Sequence, residues 1–283
     1  MLNRIGIVVA LLSISCVTYG QGITTHKITD SIYMLEGRGG NIGLSVGEDG
    51  ILIIDTQYAN MSEPILDAIA KIQKGEIDFI INTHFHGDHT GGNKALGQEA
   101  PVIGHTNVRV RMIGRRDLSD AELRNSLPVI TYEDKATVHF NGEDIELQHY
   151  SAGHTDSDSV VYFPKANVIH LGDHFFVDRF PFIDEPSGGN VSHYMENVRA
   201  LIEHAPRDVT IIPGHGPLAD VDDLKSFLKL LEDSTAYIQK GIDAGKDRKT
   251  LKAEGLPDKW AEAGTGFVNA NRWIDIVYNS FTR

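Results

Sequence analysis

Cysteine is nearly missing from these 283 residues, the single one being Cys16. It falls inside a segment that reads as a leader, so the remaining chain has no thiol for a disulfide or a cysteine nucleophile. Stability must then come from the core, and about 260 residues suffice for one large domain or two small ones. No apolar run reaches bilayer length; the longest, Ile5 to Leu12, is too short for a permanent span. An excess of positive charge is also lacking. The formal net charge of -13 argues against nucleic acid or an anionic membrane surface as partner, though not against a local positive pocket. Repeats, low-complexity tracts and Pro/Ser-rich linkers are absent, which makes one domain the simpler reading. Nor does any convincing serine nucleophile motif appear.

What is present begins with Arg4, the apolar run and then small residues up to Gly20. Residues 1–20 are expected to be a secretory signal peptide, which places the protein in the periplasm or outside the cell. An alternative takes Cys16 as the lipid-modified first residue of a lipoprotein, but Leu12 sits one place too far upstream for a good lipobox. The mature domain is expected over residues 21–283, without stable membrane insertion. The hydrophobic content of the full sequence, 41%, is ordinary for a soluble globular protein.

Short apolar runs then alternate with turn signals. Strands are expected at Ile32–Leu35, Ile42–Val46 and Ile51–Asp55, the first three as an antiparallel meander, and at Ile77–Ile81 and Val102–His105. A second block comprises Ala136–Phe140, Ile145–Tyr150, Ser159–Phe163 and Val168–Gly172, with an Asn141-Gly142 hairpin turn, and Val209–Ile212 is the last strand. Helices are expected from Ser62, as N-cap, to Lys74, from Asn107 to Asn125, and from Val191 to Ala205. From Asp220 the chain reads as a helical extension to its end, with Leu224, Phe227, Leu228 and Leu231 in one stripe. Strand blocks each followed by helices predict an α/β (α+β) fold of two face-to-face sheets under outer helices.

The densest chemistry is Thr83-His84-Phe85-His86-Gly87-Asp88-His89. Three imidazoles and a carboxylate within six residues are the donor set for zinc and similar divalent ions. In an extended segment His84 and His86 point the same way and can share one ion, while Asp88 and His89 face a second position. Three later strands end the same way, in Gly153-His154, Gly172-Asp173-His174 and Gly214-His215-Gly216, and glycine beside each donor permits close backbone approach. Gly104-His105-Thr106 mimics Gly153-His154-Thr155, yet the terminal donors are already supplied without His105. His174 should point away from Asp173 if that segment is extended. His26, His139, His149, His170, His193 and His204 lack the glycine-flanked context and read as surface or satisfied residues.

H-x-H-x-D-H followed by spaced single donors resembles the metallo-β-lactamase superfamily, and the likeness runs from about Gly40 to Gly216. It implies the four-layer αββα sandwich and two zinc ions, with iron or manganese as substitutes. One ion would sit on His84, His86 and His154, the other on Asp88, His89 and His215. Asp173 occupies the place of the bridging carboxylate of glyoxalase II-like hydrolases, where cysteine-containing β-lactamases carry their cysteine. Asp55 resembles the family aspartate that orients the ligand loop by hydrogen bonds. Two such ions, about 3.5 to 4 Å apart, lower the pKa of a shared water enough to form hydroxide near neutral pH. The resemblance implies that this hydroxide attacks a substrate carbonyl, with Asp88 as ligand and proton carrier.

Substrate walls are expected from Gly37–Asn41 and from Phe175–Asn190, where Arg179 can hold a carboxylate. Asn190 stands where some members place an asparagine that helps polarise a lactam carbonyl. Phe176 stands where the cysteine subclass carries a lysine, which counts against efficient penicillin hydrolysis. The expected function is opening of a cyclic amide of β-lactam type, a small-molecule substrate. The alternatives are a thioester or lactone hydrolase, or a metal-binding accessory of a periplasmic oxidoreductase without catalysis.

Overall fold

Alternation along the strands is what separates one face of each sheet from the other. The computed structural model describes residues 22–97, 99–115 and 125–282, so the leader segment, Cys16 and much of the expected Asn107–Asn125 helix lie outside the described residues. The chain starts with β1 (Thr24–Lys27), β2 (Ile32–Glu36), β3 (Ile42–Gly47) and β4 (Gly50–Ile54), an antiparallel meander. After α1 (Ser62–Ala70) come β5 (Phe79–Asn82), the short α2 (Gly87–Thr90) and α3 (Asn93–Leu96), β6 (Val102–His105), α4 (Thr106–Arg115) and β7 (Ile130–Tyr132). From β4 onward the neighbours are parallel, and the seven strands lie in sequence order.

The second sheet contains β8 (Lys135–Phe140), β9 (Glu143–His149), β10 (Ser159–Phe163) and β11 (Val168–Phe176) as antiparallel neighbours. After α5 (Val191–His204), β12 (Thr210–His215) joins the edge parallel to β11. The extension follows as α6 (Val221–Asp243), α7 (Arg248–Glu254) and α8 (Ala270–Thr282), with two 3-10 turns before α8. The Asn141-Gly142 turn has both residues at positive φ, 51° and 77°, as a two-residue hairpin with the right twist needs.

Leu52 and Ile54 point between the sheets, where they meet Ile145, Leu147, Val161 and Ile212. Ile51 and Ile53, one residue out of step, face outward onto Met61, Ile65 and Ile69 around α1. The outer face of the second sheet is covered by α5, α6 and α8 through Tyr194, Phe227, Leu231, Trp273 and Val277. Helix, sheet, sheet, helix is therefore the layer order, the αββα sandwich. Each fully buried Ile or Leu stabilises it by about 1.5–3 kcal/mol.

Several local expectations are corrected. Ser62 is not the N-cap: a 3-10 turn at Ala59–Met61 leads directly into α1, and Ser62 Oγ donates to the Ala59 carbonyl. The helix stops at Ala70 because Gln73 turns back, its Nε2 donating to the carbonyls of Gly47 (3.0 Å) and Gly50 (3.2 Å). Strand β11 continues past Gly172 to Phe176, with a bulge where Gly172 takes φ +51°. The extension is not one helix. α6 starts on an Asp220/Asp223 capping box and ends before Gly245, and Asp247 caps α7.

Candidate metal centre

The ends of β4, β5, β9 and β12, with the bulged stretch of β11, meet along one rim of the sandwich. Asp55, just past β4, is fully buried, and its carboxylate accepts from Thr83 N (2.8 Å) and Thr83 Oγ1 (2.7 Å). Its Oδ2 also lies 2.7 Å from His89 Nδ1. A carboxylate that accepts from Nδ1 leaves His89 Nε2 as the free donor of the ring. Asn93 supports the same loop, since its amide exchanges hydrogen bonds with Asn82 (2.7 and 3.1 Å) and its Oδ1 accepts from Thr56 Oγ1 (2.8 Å).

Two groups of side chains converge there, each with its donor atoms within 4.8 Å of one another: His84, His86, His154 and Asp173, and Asp88, His89 and His215. Asp173 stands between them. Its Oδ2 is 3.2 Å from His154 Nε2 and 3.7 Å from His84 Nε2, whereas Oδ1 is 3.1 Å from His89 Nε2 and 3.4 Å from His215 Nε2. Asp88 Oδ2 completes the second group at 3.4 Å from His215 Nε2. Glycine is required at two contacts. A Cβ on Gly40 would come within 2.1 Å of the His89 ring, and one on Gly214 within 2.2 Å of Asp173 Oδ1.

The outward nitrogens are all engaged. His84 Nδ1 meets Thr83 Oγ1 at 3.1 Å, His86 Nε2 meets Asp184 Oδ2 at 3.1 Å, and His154 Nδ1 donates to the Phe182 carbonyl. The inward ones, His84 Nε2, His86 Nδ1 and His154 Nε2, then crowd together at 2.8 to 3.1 Å. Burial keeps His84 well below its ordinary pKa, with His89 adding to the effect, and lowers His154 to about 3. Rings that turn an N–H outward present inward lone pairs, a favourable arrangement only around a cation.

The second group has the opposite charge state. Burial is the largest single influence on His89 and His215 and opposes their protonation, but the surrounding carboxylates, Asp173 first among them, together outweigh it, raising His89 well above its ordinary value and His215 to about 9. Burial would likewise raise Asp88, yet His89 and His215 hold it at about 2. His89 Nε2 and Asp173 Oδ1 are buried without a hydrogen-bond partner among the described residues. Orphaned buried polar atoms of complementary type are costly, and a divalent ion satisfies both. The donor set fits metal in both groups.

A cavity of about 490 Å³ opens over the centre, lined by Arg38, Tyr58, Asp88, Phe176, Arg179, Phe180, Phe182 and Phe267 among others. Arg179 lines this cavity. Asn190 does not line it. Its side chain accepts from His193 N at 3.0 Å and caps α5, a role its place before a helix could have signalled. Phe176 stacks on the His215 ring, 5.0 Å between centroids, where a lysine would have supplied charge. His105 joins neither group and stacks on His149 at 3.7 Å. His174 is buried on the far side of β11, stacked on Tyr194.

Residues that pattern reasoning missed act through loops. Asn41, expected as a pocket wall, is buried, and its Nδ2 donates to the carbonyls of Pro213 (3.0 Å) and Gly216 (2.8 Å), which fixes the His215 turn. Asp184 orients His86 across 98 residues of chain. From Gly189-Asn190 backward nothing in the sequence singled it out.

The sequence profile of the metallo-beta-lactamase superfamily matches residues 35–215. A metallo-beta-lactamase type 2 from Bacillus sp. (strain 170) is 20% identical over 184 residues, 65% of this chain and 69% of that one. A hydroxyacylglutathione hydrolase from Synechococcus sp. is 33% identical over 118 residues, 41% of each chain. Among solved structures, a metallo-beta-lactamase from Pontibacter korlensis superposes with a TM-score of 0.63 at 20% identity, over 74% of this chain and 99% of that one. A double mutant of the sec-alkyl sulfatase PisA1 gives 0.72 at 15% identity over 93% of this chain and 50% of that one, a span that takes in the helical extension. With the profile covering more than half its length, the chain belongs to the metallo-beta-lactamase superfamily, as a metal-dependent hydrolase.

Proposed function

We propose that the protein is an exported two-zinc hydrolase, periplasmic or secreted, that opens a cyclic amide of β-lactam type. The observation that carries this reading is Asp173, whose two carboxylate oxygens face two separate donor groups under one cavity. His84, His86 and His154 would hold one ion, Asp88, His89 and His215 the other, with Asp173 between. When bound, a pair of divalent ions supplies acidified water and a Lewis acid for the carbonyl.

The chain's own residues do the rest. Asp88, part-exposed to the cavity and ionised, takes the proton given up by the attacking water and hands it to the leaving nitrogen as the C–N bond breaks and the C–O bond forms. Arg179 holds a substrate carboxylate, and the rings of Phe176, Phe180 and Phe182 restrict water around the reacting carbonyl. Asp55 and Asp184 hold His89 and His86 in the orientation that directs one nitrogen inward.

A second reading, thioester hydrolysis, is favoured by the bridging position of Asp173 and by the hydroxyacylglutathione hydrolases among the relatives. Purified zinc-loaded protein assayed against a chromogenic cephalosporin and a chromogenic thioester separates the two. Chelator-sensitive turnover lost in Asp88→Asn is expected with the cephalosporin. Turnover of the thioester alone would replace the first reading by the second, and none with either would overturn both.

A further inference from the structure

In a chain with net charge -13, arginines are expected to find carboxylates, and Arg111, Arg199 and Arg248 do. Around the cavity three do not. Among the described residues Arg38, Arg179 and Arg272 have no carboxylate at ion-pair distance, although Arg38 and Arg179 line the cavity and Arg272 lies against two of its rings. The Arg272 guanidinium is 4.7 Å from the Phe182 centroid and 4.0 Å from that of Phe267. Phe267 is 75% exposed, the most exposed large apolar side chain among the described residues. The stacked Arg272 guanidinium and the exposed Phe267 ring thus form a cationic and apolar margin to the cavity, on the side where Arg179 also lines it.

The tail that carries Phe267 and Arg272 is firmly seated. Phe180 N donates to the Ala263 carbonyl at 3.0 Å, and the Phe180 ring stacks on Trp273 with centroids 5.3 Å apart. The Arg179 stem lies against Gly266, and Ser280 Oγ donates to Glu185 Oε1 at 2.6 Å. Residues 258–282 are therefore positioned to shape the cavity.

We propose that Phe267 and Arg272 of the extension, together with Arg179 and Arg38, form a selectivity site for an anionic amphipathic substrate. Resting on the hydrolase reading above, this assigns the part of the substrate remote from the scissile bond. An aryl or alkyl arm lies against Phe182 and Phe267, and a carboxylate or sulfonate on that arm is gripped by the guanidiniums. Stacking engages the faces of a guanidinium and leaves its in-plane N–H groups available for bidentate donation, which an ammonium cannot reproduce. The donor groups of the metal centre come from earlier elements and take no part in it.

The test uses zinc-loaded full-length protein and two chromogenic thioesters with the same aryl acyl arm, one bearing a carboxylate and one its methyl ester. Wild type is expected to favour the carboxylate by about tenfold or more in kcat/KM. Arg272→Gln should collapse that preference through KM, Arg272→Lys should restore only part of it, and Phe267→Ala should weaken both substrates. Arg248→Ala, on the same tail but stacked on Tyr278 away from the cavity, is the control that keeps the preference. Equal rates for the two substrates in wild type, or an unchanged ratio in Arg272→Gln with an unchanged melting temperature, would overturn the proposal. If neither thioester is hydrolysed, thioester hydrolysis is what has failed, and the selectivity site is still open to a binding test. Fluorescence anisotropy of a dansyl-labelled arylalkyl carboxylate and its neutral amide then decides the selectivity site separately. Preferential binding of the carboxylate, lost in Arg272→Gln, upholds it, and equal binding of the two rejects it.

Discussion

Asp173 Oδ1 and His89 Nε2 lie 3.1 Å apart, both buried, and neither makes a hydrogen bond within the described residues. Leaving such atoms unsatisfied costs about 1–3 kcal/mol each, and a cation between them removes that cost. Zinc is therefore expected to raise the melting temperature of metal-free protein. At a free concentration a hundred times Kd, one site adds about 2.7 kcal/mol, which corresponds to a shift of roughly 5 to 10 °C for a chain of this size. Asp173→Ala should lose metal from both groups, read by elemental analysis. An unchanged melting curve in zinc would count against the metal centre itself.

Asp55 touches no cavity, yet three donors converge on it from Thr83 and His89. Asp55→Ala strands Thr83 N and releases the His89 ring. Metal affinity is expected to fall about 10- to 100-fold. Asp55→Asn should do comparable harm, because an amide placed by its nitrogen against Nδ1–H reverses the polarity of that contact. Competition with a chromogenic chelator measures both, and a wild-type affinity in either variant would remove Asp55 from its orienting role.

The pH dependence of stability should carry a contribution from the stacked pair His105 and His149. Burial lowers both pKa values below the ordinary 6.5, and for His105 the adjoining His149 adds to it. Glu133 and Asp156 face the pair and oppose the shift without cancelling it. A depressed histidine pKa means that the unfolded chain binds protons first. Stability from this pair is thus complete above about pH 6.5 and is lost as pH falls toward the folded-state values. Compared at pH 7.5 and pH 5, His149→Gln should lose less melting temperature than wild type; an equal or larger loss would contradict the sign.

How much of this was legible without coordinates follows from distance along the chain. His84, His86, Asp88 and His89 fall within one loop, so their chemistry shows as local density. His154, Asp173 and His215 lie far apart, and only the repeated pairing of a strand end with glycine connects them. The opposite directions of Asp173 and His174 follow from strand alternation, although the bulge at Gly172 was not foreseeable. Asp184, Asn41 and the Phe182 carbonyl act through loop paths and backbone atoms, which leave no compositional trace. Asn190 was misplaced because a residue before a helix serves capping as readily as catalysis. The tail's aromatics read as packing material. Trp273 is that, fully buried, while Phe267 six residues earlier opens onto the cavity.

Gly40 offers the sharpest separation of site from fold. Its neighbour Asn41 ties β3 to the β12 end, and its own N donates to the Asp88 carbonyl at 3.0 Å. Gly40→Ala keeps those backbone bonds in principle but places a methyl 2.1 Å from His89, whose ring is clamped from behind by Asp55. The ring has nowhere to retreat without breaking a buried charge-assisted hydrogen bond, so His89 should be displaced from the second group. The expected outcome is a protein that retains its circular dichroism spectrum, binds about one metal equivalent tightly through His84, His86 and His154, and loses most of its turnover. Full occupancy of both groups in Gly40→Ala, measured by elemental analysis after dialysis, would mean that the loop yields more readily than the packing around His89 implies.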